Sequence, residues 1–127
     1  LGALAAAEAN WERAALQSYR FEYRVSCFCD PAMLEWMRIS VQEGAVTEVV
    51  YADSTDVTPP VLEGWPTVDE LFASIRRLQN DGSADVKDVT VEFDASLGYP
   101  TRISVVMQEG ILDGGAIYMA RNLAPIP

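Results

Sequence analysis

The clearest pattern in the sequence is an alternation of apolar and polar positions between Ser18 and Cys27, with the apolar residues at odd positions. Side chains of a strand point alternately to its two faces, so this segment predicts a half-buried strand. Shorter apolar and polar runs predict five further strands, at 33–41, 46–51, 89–93, 103–107 and 116–123.

Two segments have helical spacing instead. Apolar residues between Leu4 and Leu16 share a broad helical face, which predicts a first helix. The second helix has a clear start, because Thr67 and Glu70 have the spacing of a capping box, in which each side chain binds the other's backbone amide. Residues 80–82, Asn-Asp-Gly, are expected to end it.

The order of these elements predicts an α+β fold. A helix and three strands occur twice, so we expect an antiparallel sheet of about six strands with two helices packed on one face, in the order α-β-β-β-α-β-β-β. Residues 52–66 lack periodicity and form a long loop that either lies over the sheet or contributes to a site. The tail after Leu123 is expected not to continue a sheet ladder, because it contains Pro125 and Pro127.

The chain length predicts one domain, at 11–127. Residues 1–10 allow two interpretations: a remnant of a signal peptide, or the start of the first helix, since alanine is the best helix former. The net charge of −10 argues against nucleic acid and anionic membrane surfaces as partners. No apolar run approaches the ~20 residues of a membrane-spanning helix.

Histidine is absent from the chain, which removes the commonest general base and metal ligand and argues against catalytic triads. Phosphate-loop, dinucleotide and zinc-type motifs are also missing, so no cofactor is predicted. The remaining enzyme hypothesis is a small hydrolase that uses carboxylates near the 52–66 loop. The sequence therefore favours a non-catalytic domain that binds a protein or a small ligand, as a monomer or a homodimer.

Cys27 and Cys29 are the only cysteines and are two positions apart. Three interpretations stay open. They form a local disulfide, which requires the strand to kink because their Cα atoms would otherwise lie ~6.5–7 Å apart. Alternatively, they are buried apolar side chains of the strand, or they bind a soft metal or exchange disulfides.

Two other groups are candidate contacts. Acidic residues near a Gly-Ser turn would suit calcium, although turn chemistry also explains them; they are Asp81, Asp85 and Asp88. Most aromatic residues are expected in the core. Tyrosine and tryptophan also suit contact surfaces, because one end of the side chain is apolar and the other can face water. The candidates for contact with a ligand or partner are Trp36, Trp65 and Tyr99.

Several motifs follow one another along the chain: Trp11, Tyr19-x-Phe21-x-Tyr23, Cys27-Phe28-Cys29, Gly44, Thr67-Val68-x-x-Leu71-Phe72 and Asp94-x-x-x-Gly98-Tyr99-Pro100. In this order they resemble an uncharacterised family of small exported bacterial domains. The resemblance implies a secreted or periplasmic protein, and family members are often processed lipoproteins. It also implies that the Cys-x-Cys segment is compatible with a disulfide. It supplies no catalytic residue. A looser similarity, in topology only, is to exported beta-lactamase-inhibitor-like and PepSY-type modules, which bind proteins.

Overall fold

The computed structural model describes residues 2–26, 35–52, 64–80, 86–107 and 115–126. Within them, two helices and a six-stranded antiparallel sheet confirm the predicted fold class and element order. The elements are α1 (Gly2–Ala14), β1 (Tyr19–Ser26), β2 (Met37–Gln42), β3 (Ala45–Tyr51), α2 (Val68–Asn80), β4 (Val86–Phe93), β5 (Pro100–Met107) and β6 (Gly115–Pro125). Neither described helix is long and apolar enough to cross a membrane.

The prediction for the tail was wrong. β6 continues to Pro125, which pairs with Tyr19, and Ile126 then donates its amide to the Ser18 carbonyl. Asn122 has a φ of 56°, and the pairing of β1 with β6 shifts register beside it, between Arg20 and Glu22. Pro125 is tolerated because β5 pairs only with residues 115–119 of β6, so at Pro125 the strand has β1 as its one described neighbour and is locally an edge.

The sheet has the strand order β3-β2-β1-β6-β5-β4. The first and last strands of the chain are therefore neighbours at its centre, whereas β3 and β4, which follow each other in sequence, are opposite edges. Strands are about 4.8 Å apart, so the connection from β3 to β4 spans about 24 Å. The 13 residues of α2 provide about 20 Å of that distance. α2 is therefore long enough to cover most of the distance between the two edge strands.

One face of the sheet, which we call the core face, carries the buried odd positions of β1 and the residues in register with them. Contacts to this face are described for both helices. Trp11 of α1 packs edge-on against Tyr19, with ring centroids 5.1 Å apart, and Phe72 of α2 stacks on Phe93 at 6.2 Å. That both helices cover this face along their whole length stays a prediction.

The first turn of α2 is held by its own capping box and by a hydrogen bond to α1. The predicted capping box is present: Thr67 Oγ1 accepts from the Glu70 amide at 3.1 Å, and Glu70 Oε1 accepts from the Thr67 amide at 3.0 Å. Trp11 Nε1 donates to Asp69 Oδ1 at 3.0 Å, so α1 is joined to the same turn. These bonds set the position at which α2 begins over the sheet.

The Asp94-x-x-x-Gly98-Tyr99-Pro100 segment is a compact turn. Asp94 Oδ2 accepts from the amides of Ser96 and Leu97, at 3.0 and 2.7 Å. Gly98 has a φ of 86°, and a Cβ there would overlap the Ala7 carbonyl oxygen. The glycine therefore allows α1 to approach this turn closely. Tyr99 is buried and belongs to the hydrophobic core.

Candidate functional site

A pocket of about 530 Å³ lies between α2 and the core face of the sheet. Tyr23 of β1, Ile103 of β5 and Tyr118 of β6 line it from the sheet side. Ile103 and Tyr118 are register partners, and Tyr118 is also paired with Val25, the next core-face residue after Tyr23. Strand pairing therefore brings together three side chains that are far apart in sequence.

The opposite wall of the pocket is one side of α2. Its residues recur at helical spacing, which places them on one stripe; they are Glu70, Leu71, Ser74, Arg77 and Leu78. A neighbouring stripe, with Val68, Phe72 and Ile75, is buried in the core. The helix thus fills the core with one stripe and lines the pocket with the next. The segment 64–66 completes the rim.

Trp65 and Tyr23 meet edge to face at this rim, with ring centroids 6.2 Å apart and an angle of 88° between the ring planes. Both side chains are almost fully buried. Burial raises the pKa of the Tyr23 phenol well above its usual value, and the neighbouring Tyr118 phenol raises it further. A tyrosine is neutral at physiological pH even at its ordinary pKa, so Tyr23 brings a hydroxyl group rather than a charge to the pocket lining.

The polar groups of the pocket belong to α2. Arg77 Nη2 donates to Ser74 Oγ at 3.0 Å, one turn back along the helix. Glu70 also lines the pocket, but one of its carboxylate oxygens already accepts from the Thr67 amide. Among the described lining residues Glu70 is the only acid, so the lining does not provide the pair of carboxylates that glycosidases use. Most of the 52–66 loop, whose carboxylates the hydrolase hypothesis invokes, lies outside the described residues, so that hypothesis stays a prediction.

The three predicted aromatic contacts lie in three different places. Trp65 is at the pocket rim, whereas the Trp36 ring is on the opposite face of the sheet, 3.8 Å below the guanidinium carbon of Arg121. Tyr99 is 6% exposed and does not line the pocket. Of the three, only Trp65 lines this pocket, and contact of any of them with a ligand or partner stays a prediction.

The predicted cysteine and metal sites lie mostly outside the described residues. Cys27, Cys29, Asp81 and Asp85 belong to undescribed segments. Asp88 is described and exposed, and its Oδ1 accepts from the Val89 amide at 2.9 Å, a local bond between side chain and backbone within β4. Across the described part of the chain, no three acidic or cysteine side chains are grouped as metal ligands.

Sequence reasoning missed most of the pocket. Tyr23 and Tyr118 occupy apolar positions of predicted strands, where any aromatic side chain is expected in the core. A signal was available in α2, because Ser74 and Arg77 interrupt the apolar spacing on a side adjoining Leu71 and Leu78. These polar residues indicate a pocket only if that side of the helix faces the sheet, and the spacing alone does not show which way the helix faces.

Comparisons with known proteins extend this description only to the level of the family. No curated protein and no solved structure matches the chain. A model of DUF6174, described as a family of unknown function, matches residues 3–125. This match covers nearly the whole chain, both helices and all six strands. The chain therefore belongs to DUF6174, in agreement with the resemblance to an uncharacterised family noted from its motifs.

Proposed function

We propose that this protein is a binding domain that holds a small, largely apolar ligand in the pocket between α2 and the sheet. The observation that carries the proposal is the pocket itself, with aromatic and aliphatic walls and a few polar groups from one side of a single helix. Ligand sites of proteins typically have this composition and volumes of about 300–1,000 Å³. The volume of about 530 Å³ lies within that range.

The lining also indicates which kind of ligand fits. Tyr23, Ile103 and Leu78 offer contacts to an apolar body. Arg77 is exposed and offers guanidinium donors to an acidic group at the mouth of the pocket. A compound with a ring system and one acidic group would use both parts of the lining.

Anilinonaphthalenesulfonate is a suitable probe because it combines aromatic rings with a sulfonate. We expect saturable binding of one molecule per native chain, measured by its fluorescence. Ser74→Phe should fill the pocket and weaken binding at least about tenfold, which corresponds to about 1.4 kcal/mol. The matched control is Ala73→Phe, which adds a phenyl ring at the adjacent, exposed position of α2.

This probe also binds partly unfolded states, so both variants must keep the cooperative thermal transition of the native protein. The proposal fails if the native protein shows no saturable binding. It also fails if Ser74→Phe binds as tightly as Ala73→Phe while both remain folded.

We further propose that the protein is exported and that Cys27 and Cys29 form a local disulfide. The support is the family resemblance of the Cys-x-Cys segment and the preference of disulfides for oxidising compartments. Intact mass of protein from the bacterial periplasm, with and without reductant and an alkylating reagent, tests the bridge. Resistance to alkylation until reductant is added supports it, and two freely alkylated thiols exclude it. Fractionation of cells of the source organism tests the export itself.

A further inference from the structure

Arginines are concentrated on the face of the sheet opposite the core face. Five of the nine basic residues of the chain lie there, all on the four central strands; they are Arg20 and Arg24 of β1, Arg38 of β2, Arg102 of β5 and Arg121 of β6. We call this surface the arginine face. Side chains in register across neighbouring strands point to the same side, which places these residues together.

Acidic residues are distributed differently on this side of the sheet. Among the described residues, Glu22 is the only acid on the central strands, whereas Glu48 is on the edge strand β3 and Asp88 and Glu92 are on the opposite edge strand β4. The centre of the face is therefore basic and its two edges are acidic. This contrasts with the charge of −10 on the whole chain.

Three of these arginines have substantially exposed side chains. The side chains of Arg38, Arg102 and Arg121 are 41, 47 and 43% exposed. Arg121 and Arg38 approach Glu22, at 2.8 and 4.0 Å, so one carboxylate is shared between two guanidinium groups. Arg102 approaches Glu92 of β4 at 3.8 Å, so the excess of positive charge lies on the four central strands, whose described residues on this face include five arginines and one acid. The Nε of Arg24 is buried and has no acceptor within the described structure.

A small pocket of about 110 Å³ opens on the same face. Arg20 and Arg38 line it, together with Glu22 and Asn122. It lies where the pairing of β1 with β6 shifts register, and the left-handed backbone of Asn122 is part of that irregularity. The volume is comparable with that of about four waters, which suits a carboxylate group.

The other side chains of the face are those that protein interfaces favour. Trp36 is stacked under Arg121, and Ile117 and Met119 are half-buried beside them on β6. Arginine, tryptophan and methionine are enriched at interfaces relative to the rest of a protein surface. The face thus combines donors for acidic groups with an apolar strip.

We propose that the arginine face docks an acidic segment of a partner protein, with one carboxylate seated between Arg20 and Arg38. Charge complementarity carries this choice of occupant. Electrostatic interactions at the surface are screened beyond about 8 Å at physiological ionic strength, so the local arginines determine what binds there. The acidic edge strands limit the basic area to the width of four strands, about 14 Å between the outer two. A single extended chain fits this width better than a long polyanion or a membrane does.

The test uses a fluorescein-labelled peptide of eight glutamates, titrated with the native protein and followed by anisotropy. Binding should weaken as salt is raised from about 0.05 to about 0.3 M. The double variant Arg20→Glu/Arg38→Glu should lose binding at least about tenfold, and the milder Arg38→Gln should weaken it in the same direction if the double variant is poorly folded. The single reversals Arg38→Glu and Arg13→Glu change the net charge equally and form the matched pair: Arg38→Glu should weaken binding several-fold, whereas Arg13→Glu, at an exposed position of α1, should stay within about twofold.

Four outcomes would overturn the proposal. The first is that the native protein does not bind the peptide, and the second is that Arg13→Glu weakens binding as much as Arg20→Glu/Arg38→Glu does. The third is that duplex DNA or vesicles of anionic phospholipid bind as tightly as the peptide, which would indicate a general polyanion surface. The fourth is that sedimentation shows a dimer that Arg20→Glu/Arg38→Glu dissociates, which would assign the face to a second copy of this chain.

Discussion

The phenol oxygen of Tyr19 accepts a hydrogen bond from the backbone amide of Val68, at 2.8 Å and across 49 positions of sequence. Tyr19 is the first residue of β1 and Val68 is the first residue of α2. Both are almost fully buried, so this bond satisfies an amide that has no partner within the helix. It connects the strand at the centre of the sheet to the helix that lines the pocket.

Tyr19→Phe is expected to destabilise the protein. The phenyl ring keeps its contact with Trp11, but the Val68 amide loses its acceptor while remaining buried. An unpaired buried donor costs about 1–3 kcal/mol, which urea unfolding at neutral pH should detect. Tyr51→Phe, on the half-buried edge strand β3, is the control and should change stability by less than about 0.5 kcal/mol. Equal losses in the two variants would contradict the role assigned to this bond.

Alkaline pH should destabilise the native protein through the same residue. Burial raises the pKa of Tyr19 from 10.0 to about 12, and the Asp69 and Glu70 carboxylates add to the increase, while the Val68 amide opposes it. The unfolded chain therefore releases the phenolic proton at lower pH than the folded chain. This contribution to stability is complete below pH 10 and is lost as pH rises towards 12.

The measurement is the urea midpoint as a function of pH, together with the phenolate absorbance. Tyr19→Phe should show a smaller decrease in stability between these pH values than the native protein does. Burial also raises the pKa of Tyr23 and Tyr99, so the variant should retain part of the decrease. A pH dependence identical to that of the native protein would contradict the assignment to Tyr19.

Gly98 and Gly44 allow backbone strain to be separated from close packing. Both have a left-handed backbone, with φ of 86° and 82°. A Cβ at Gly44 meets nothing within 4 Å, so Gly44→Ala should cost only the conformational strain, about 1–2 kcal/mol. Gly98→Ala adds an overlap with the Ala7 carbonyl and should be more destabilising in thermal unfolding. Equal destabilisation would show that α1 is not held against this turn.

The sequence predicts the elements of this protein much better than its surfaces. The alternation of Tyr19, Phe21 and Tyr23 is a local property, and it correctly predicts a strand with one buried face. The pocket depends on the pairing of β1 with β6, whose residues are almost 100 positions apart, and no local pattern contains that pairing. Tyr23 therefore resembles any other core residue in the sequence.

The same limit applies to the arginine face. Arg20 and Arg24 are predicted correctly as the polar positions of a strand, but their proximity to Arg121 follows only from the strand order of the sheet. Pro125 illustrates the opposite error. The general rule against proline in strands predicted that the sheet ends before Pro125. In the structure Pro125 pairs with Tyr19 at the end of β6.

Arg77 should determine how well the pocket accepts an acidic group. Arg77→Gln removes the charge at the mouth while keeping a side chain that can reach Ser74, so binding of anilinonaphthalenesulfonate should weaken several-fold. Arg76→Gln is the matched control, because Arg76 is adjacent, exposed and paired with Glu8 of α1 rather than part of the lining. Its affinity for the probe should stay within about twofold. If the two variants weaken binding equally, general charge rather than the position of Arg77 is responsible.

Glu22 should restrain the arginine face. Its side chain is 15% exposed and accepts from Arg121 Nε at 2.8 Å and from Asn122 Nδ2 at 3.2 Å. Glu22→Gln keeps the shape and most hydrogen-bonding capacity but removes the negative charge between Arg38 and Arg121. Binding of the glutamate peptide should therefore tighten several-fold, while urea unfolding should show a loss of no more than about 1 kcal/mol, since the two arginine partners of Glu22 are 41 and 43% exposed. The two effects have opposite signs, so a simple loss of folding cannot imitate the expected result. Weaker peptide binding by a folded Glu22→Gln protein would mean that Glu22, rather than the surrounding arginines, contacts the partner.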